Sequence, residues 1–123
     1  MPVPAGFLRP GYLPSGFRVA GVETGTGGSN GEVTSFAITF KPGEGAASSP
    51  AFAITEAVRP GGLTAAQRVG DAVSVRGTDG YLATDGMTTT LTWAERGHVV
   101  TIAAAGISAA EVMAIADGLA AER

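Results

Sequence analysis

The run Met87-Thr88-Thr89-Thr90-Leu91-Thr92-Trp93, followed by Ala94-Glu95-Arg96-Gly97, His98-Val99-Val100-Thr101-Ile102-Ala103 and then Ser108 to Leu119, decides the fold. Its periods change from two to nearly four, as a strand–turn–strand–helix sequence requires. Met87, Thr89, Leu91 and Trp93 share one side of a strand and Thr88, Thr90, Thr92 and Ala94 the other, so one face is apolar and the other is lined with threonines. Gly97 accommodates the turn because a residue without Cβ adopts positive φ at no steric cost. On the return strand Val100 and Ile102 lie on one face and Val99, Thr101 and Ala103 on the other. The helix start is specified twice. Ser108 and Glu111 have capping-box spacing, and Ile107 and Val112 have the spacing of a hydrophobic staple. Val112, Ile115, Ala116 and Leu119 then form an apolar stripe, and the preceding hairpin is the nearest surface for it to cover.

Working outward, Asp85-Gly86 predicts a tight turn before Met87, with strands at Tyr81–Thr84 and Ala72–Arg76 and a turn at Thr78-Asp79-Gly80. Thr64 and Gln67 again have capping-box spacing and predict a single helical turn over Thr64–Val69. Ala51–Val58 is a strand with Phe52, Ile54 and Val58 on one face, where Glu56 interrupts the apolar pattern and is expected at the sheet margin. Val33–Lys41 alternates clearly, with Phe36, Ile38 and Phe40 opposite Ser35, Ala37 and Thr39. Phe17–Glu23 opens the sheet. Thr24–Gly31 reads as a flexible hairpin loop, and its glycines lack the Gly-Lys-Ser/Thr ending and following helix of a phosphate loop. Pro42–Pro50 reads as a loop and Met1–Gly11 as an irregular lead-in or linker remnant.

The expected architecture is α+β: an antiparallel β-meander of about seven strands in a curved sheet, with a C-terminal amphipathic helix packed on one face. At 123 residues and 45% hydrophobic, residues 1–123 are expected to form a single domain around one core. A helix from Ser108 to Leu119 is only about 18 Å long and cannot cover such a sheet alone. Either the sheet's own side chains fill the remaining space, or a groove stays open beside the helix.

Composition excludes several functions. With no cysteine there is neither a disulfide framework nor a thiolate metal site. The net charge of −3 and the scattering of seven arginines and one lysine give no basic footprint for nucleic acid. No segment approaches the roughly 18 consecutive apolar residues of a membrane span, and the first residues lack the pattern of a signal peptide. Any membrane attachment therefore belongs to segments absent from this chain.

Chemistry is sparse. His98 is the only imidazole and is expected at an exposed strand end, so neither a nucleophile–base pair nor a histidine zinc site is in view. Asp79 and Asp85 flank turns, where aspartate hydrogen-bonds its own backbone, and EF-hand spacing is absent. No catalytic residue, metal ligand or cofactor is assigned. Trp93 and Tyr81 read as packing aromatics whose polar atoms reach a partner. The threonine row reads as a solvated strand face.

Tyr12-Leu13-Pro14-Ser15-Gly16-Phe17 resembles the "LP-x-G-[FY]" opening of a domain found in the extracytoplasmic C-terminal region of bacterial membrane-anchored anti-sigma factors and related lipoproteins. Val73-Ser74-Val75-Arg76-Gly77 with Gly80-Tyr81-Leu82, then Leu91-Thr92-Trp93 with Gly97 and Ile102, then Ser108 and Glu111 with Ile115-Ala116 and Leu119, is similar to that domain's later motifs in order and spacing. The resemblance spans nearly the whole chain. It implies a non-enzymatic sensor or interaction domain of a membrane-tethered regulatory protein, extracytoplasmic in place; the sequence taken literally, with Met1 as the native start, is expected to be cytoplasmic instead. It carries no catalytic residues, and regulation of a sigma factor would belong to sequence outside this chain. The family is also distantly similar to periplasmic lipoprotein carriers, which implies an alternative: an acyl chain or lipopeptide held between sheet and helix. Phe36, Ile38, Phe52, Ile54 and Trp93 are then the expected lining, and full interdigitation of these side chains would argue against it. The partner is accordingly an unidentified protein or an apolar ligand.

Overall fold

The computed structural model describes residues 7–13, 16–27, 32–42, 51–64 and 67–121. In chain order the elements are β1 (Leu8–Pro10), β2 (Phe17–Gly27), β3 (Glu32–Pro42), β4 (Ala51–Val58), β5 (Asp71–Val75), β6 (Thr78–Asp85), β7 (Thr88–Glu95), β8 (His98–Ala105), α1 (Ala109–Asp117) and β9 (Leu119–Ala121). Seven strands form one antiparallel sheet in the order β2-β3-β4-β8-β7-β6-β5, with α1 packed on it, the expected α+β class.

The sheet is two meanders rather than one. Strands β2 to β4 run in from one edge, the chain crosses to the far edge, and β5 to β8 run back until β8 pairs with β4. The central place of β8 follows from its sequence. Val99 and Val100 point to opposite faces and are both buried, so this strand is covered on both sides.

Three two-residue turns close the second meander. Arg76-Gly77 (φ 51° and 80°) and Arg96-Gly97 (φ 53° and 75°) have the paired positive φ of type I′ turns, whereas Gly86, with φ 62°, leads Met87 in a type II′ arrangement. The turn expected at Thr78-Asp79-Gly80 is therefore two residues earlier. Gly80 lies within β6 opposite Trp93, where a Cβ would sit 2.8 Å from Val75 Cγ2 and 3.2 Å from Trp93 Cβ. It is glycine for space, not for a turn. Met87 leaves the apolar face and sits in its turn, 76% exposed. Thr89 and Thr92 are buried on opposite faces, so the threonine row is solvated only in part.

Other boundaries shift for similar reasons. The expected loop at Thr24–Gly31 is strand as far as Gly27, because Thr24 and Thr26 pair with Phe36 and Val33; residues 28–31 lie outside the described residues, as do 43–50 of the next loop. At Thr64 the amide donates to Gln67 Oε1 (2.9 Å) and Gln67 N donates to Thr64 O (3.0 Å), a 3₁₀-type turn whose middle residues are also outside the described set. Leu8–Pro10, expected as lead-in, forms a strand paired with β9, in which Leu119 stands opposite Pro10.

Helix α1 begins as its capping residues require: Ser108 Oγ accepts from Glu111 N at 3.2 Å. The Glu111 carboxylate accepts from the Tyr12 hydroxyl at 2.9 Å, tying the N-terminal segment to the first turn. Gly118 ends the helix, so Leu119 belongs to β9 instead of the helical stripe. At Gly118 a Cβ would meet Tyr12 Cβ at 2.7 Å, which makes glycine the residue that lets β1 and β9 cross closely.

The core lies between the sheet and α1. Phe40 stacks on Phe52 at 4.7 Å, Phe17 packs on Phe52 at 5.3 Å, and Leu91, Trp93, Ile102, Val112 and Ile115 continue the same cluster under the helix. Phe7 and Leu8 complete it from the β1 side. Among the described residues no helix is long and apolar enough to cross a membrane.

Candidate functional site

Both type I′ turns and the C-terminal end of β4 meet at one end of the sheet, since Val58 pairs with His98 and the β5–β6 and β7–β8 hairpins close in the same direction. A polar network forms there. Glu95 accepts from Arg76 Nε (2.6 Å), from Trp93 Nε1 (2.8 Å) and from Arg96 Nε (3.2 Å). Arg96 also reaches Glu56, with Nη2 3.2 Å from Oε2. His98 Nδ1 lies within hydrogen-bond reach of the same oxygen, and the imidazole packs at a tilt against the Phe7 ring, with centroids 4.9 Å apart. The second Glu56 oxygen accepts the backbone N–H of Leu8 at 2.7 Å.

Glu56 is thus neither marginal nor exposed: its residue is 2% exposed and lies inside the apolar face at the strand's end. A carboxyl group taken out of water needs hydrogen-bond partners in its place, and Leu8 N–H, Arg96 and His98 surround the two oxygens of Glu56. His98, expected at an exposed strand end, is largely buried by the same contacts. Burial pushes the Glu95 carboxyl up, but hydrogen bonds from Arg76, Trp93 and Arg96, with the Arg76 charge, outweigh it and hold the group below the ordinary carboxylate range.

The network ties chain segments together. Arg76 Nη1 donates to Ala116 O (3.2 Å) at the end of α1 and to Leu119 O in β9. Glu56 holds β1 through Leu8. The two strands of the terminal pair are therefore gripped by opposite members of one charge network. Arg76 and Arg96 are the two non-glycine residues with positive φ among those described. Arginine at the first central position of a type I′ turn sits in a conformation that costs an L-residue energy, and the turn in return aims both guanidinium groups at Glu95. The sequence signal was present, as Arg-Gly twice at equivalent hairpin positions and a carboxylate within an apolar alternation. Its meaning needed the strand order.

Of the residues expected to line a ligand pocket, Phe36, Ile38, Phe52, Ile54 and Trp93 are all 4% exposed or less and belong to the one cluster. Trp93 is fully buried with its N–H on Glu95. An open depression of about 330 Å³ lies elsewhere, lined by Glu23, Thr24 and Gly25 of β2, Ser35, Phe36 and Ala37 of β3, and Thr55 of β4. Of the five, Phe36 alone borders it. Among the described residues no three His, Asp or Glu side chains gather as metal ligands.

Solved structures with this fold include MucB in complex with MucA(peri), at TM-score 0.59 and 15% identity over 94% of this chain, and the MucA/MucB complex of Pseudomonas aeruginosa, at TM-score 0.60 and 16% identity over 99%. The chain spans only 37% of the matched chain in each. At these identities the likeness concerns the fold. No curated protein matches the sequence. A family model matches residues 8–119, and the chain belongs to the family described as domain of unknown function DUF4367.

Proposed function

We propose that this chain is a single non-enzymatic interaction domain, the extracytoplasmic sensor portion of a membrane-tethered regulatory protein of the anti-sigma type, and that it works by holding a protein partner. The observation that carries this reading is the shared fold with MucB, a protein captured in complex with MucA(peri). The chemistry of the network supports it. Glu56 and Glu95 both contact Arg96, and both carboxylates are engaged by cations and backbone or indole donors, an arrangement suited to holding strands rather than to moving protons for a substrate.

The acyl-carrier alternative asks more of the molecule. Phe36, Ile38, Phe52, Ile54 and Trp93 would have to part from Leu91, Val112 and Ile115 before an apolar chain could enter.

The test is made on the full-length protein in its own bacterium. Membrane fractionation should find it tethered, and protease added to intact spheroplasts should remove this domain. Photocrosslinkers placed on the domain's surface should then join it to one defined protein. An untethered cytoplasmic species would overturn the assignment.

A further inference from the structure

The two edges of the sheet are unequal. At one edge β5 has five residues, begins with Asp71 and lies beside α1. Shortness, charge and cover are the usual protections of an edge strand. At the other edge β2 has eleven residues, is paired on the β3 side alone among the described residues, and is exposed along most of its length. Register shifts lie at Val19/Gly21 and Gly25/Thr26, which leaves Gly21–Gly25 as a regular run opposite Thr39 to Ser35. Over this run one edge of the backbone has no strand partner among the described residues.

The two faces beside that run differ in chemistry. Val22 pairs with Ile38, shares the core-facing side of the sheet, and is 45% exposed. Glu23 pairs with Ala37, which pairs with Thr55, and these residues line the depression on the opposite side. Gly25 and Ala37 line it with little side chain of their own. Its one charge is the Glu23 carboxylate, which makes no ion pair with another described residue, and the other polar side chains on this face are the hydroxyls of Ser35 and Thr55. One carboxylate surrounded by hydroxyl oxygens matches a lysine ammonium, which has three donors and no acceptor.

We propose that β2 is a strand-addition site: an extended segment of a protein partner pairs with Gly21–Gly25, placing a lysine against Glu23 in the depression and aliphatic side chains of its other face beside Val22. Main-chain bonds supply affinity and the alternating side chains supply selectivity. This deepens the interaction-domain reading and rests on it.

The probe is an acetylated, amidated nine-residue peptide of alternating valine and threonine with one central lysine, titrated into the 15N-labelled chain and followed by NMR. Saturable shifts confined to Gly21–Gly25 and their β3 neighbours are expected. Affinity should fall at least tenfold in Glu23→Lys and be recovered when the peptide's lysine is replaced by glutamate. The variant's spectrum away from β2 checks that it folds. Unchanged affinity in Glu23→Lys, shifts that map to β5 or α1, or no binding at all would each overturn the site. So would concentration-dependent shifts at Gly21–Gly25 without peptide, which identify a second copy as the occupant. The interaction-domain reading fails separately, through the spheroplast experiment, and survives if the crosslinked partner maps away from β2.

Discussion

The backbone N–H of Leu8 donates to Oε1 of Glu56 at 2.7 Å across 48 residues of sequence. A buried carboxylate in the fourth strand thereby holds the first strand in place, while its other oxygen takes Arg96 and His98. Removing it leaves the Arg96 guanidinium and the His98 ring without their shared acceptor and a strand without an anchor.

Glu56→Ala should therefore destabilise the fold by about 3 kcal/mol, the low end for a broken buried pair, since Arg96 can turn to water. Glu56→Gln, which keeps an acceptor for Leu8, should lose less. Urea unfolding gives both values, and amide exchange at Leu8 and Arg9 should quicken more than in β7 or β8. A loss under about 0.5 kcal/mol for the alanine variant, the range of ordinary surface changes, would show that the carboxylate does not hold the strap.

Arg76→Lys tests the other grip. Lysine keeps the charge but lacks the planar fork that serves Glu95, Ala116 O and Leu119 O together. A cost of about 1–3 kcal/mol is expected, with faster amide exchange in Leu119–Ala121. Wild-type exchange in that segment would mean that β9 is held by its pairing with β1 alone.

Acid should act through Glu95. Its folded carboxyl lies below the ordinary glutamate value of about 4.3, so the folded state binds its proton less tightly than the unfolded chain does. The stabilisation is complete above that ordinary value and is lost as pH falls through the lower folded one. Urea midpoints measured from pH 7 down to pH 3 should drop more steeply for the wild type than for Glu95→Gln. Parallel curves would remove Glu95 as the cause.

Two glycines separate space from conformation. Gly80→Ala drives a methyl to 2.8 Å from Val75 Cγ2 and toward Trp93, and should cost about 1–3 kcal/mol by overpacking. Gly86→Ala meets nothing within 4 Å but keeps φ at 62°, so its cost is the left-handed strain of about 1–2 kcal/mol. Near-ultraviolet circular dichroism of Trp93 should change in the first variant and stay constant in the second.

Trp93, fully buried and bonded to Glu95, should emit as a shielded indole, and titration with a fatty acid should leave the spectrum unmoved. A saturable shift, with a stoichiometric adduct in native mass spectrometry, would instead favour the apolar-ligand alternative.

Local rules written into consecutive residues were enough for the elements: alternation for β3 and β4, Arg96-Gly97 for a hairpin, and Ser108 with Glu111 for the start of α1. These depend on φ preferences, side-chain period and backbone donors within a few residues, so the amino-acid sequence by itself determined them, along with the α+β class. Strand order was not of this kind. Nothing near β4 says that its next neighbour is β8, because that pairing is decided by which strand can be buried on both faces. The fate of Glu56 followed from the same pairing. A carboxylate in an apolar alternation is costly in any local account, and only the tertiary structure, by bringing Leu8, Arg96 and His98 to its two oxygens, turned that cost into an anchor.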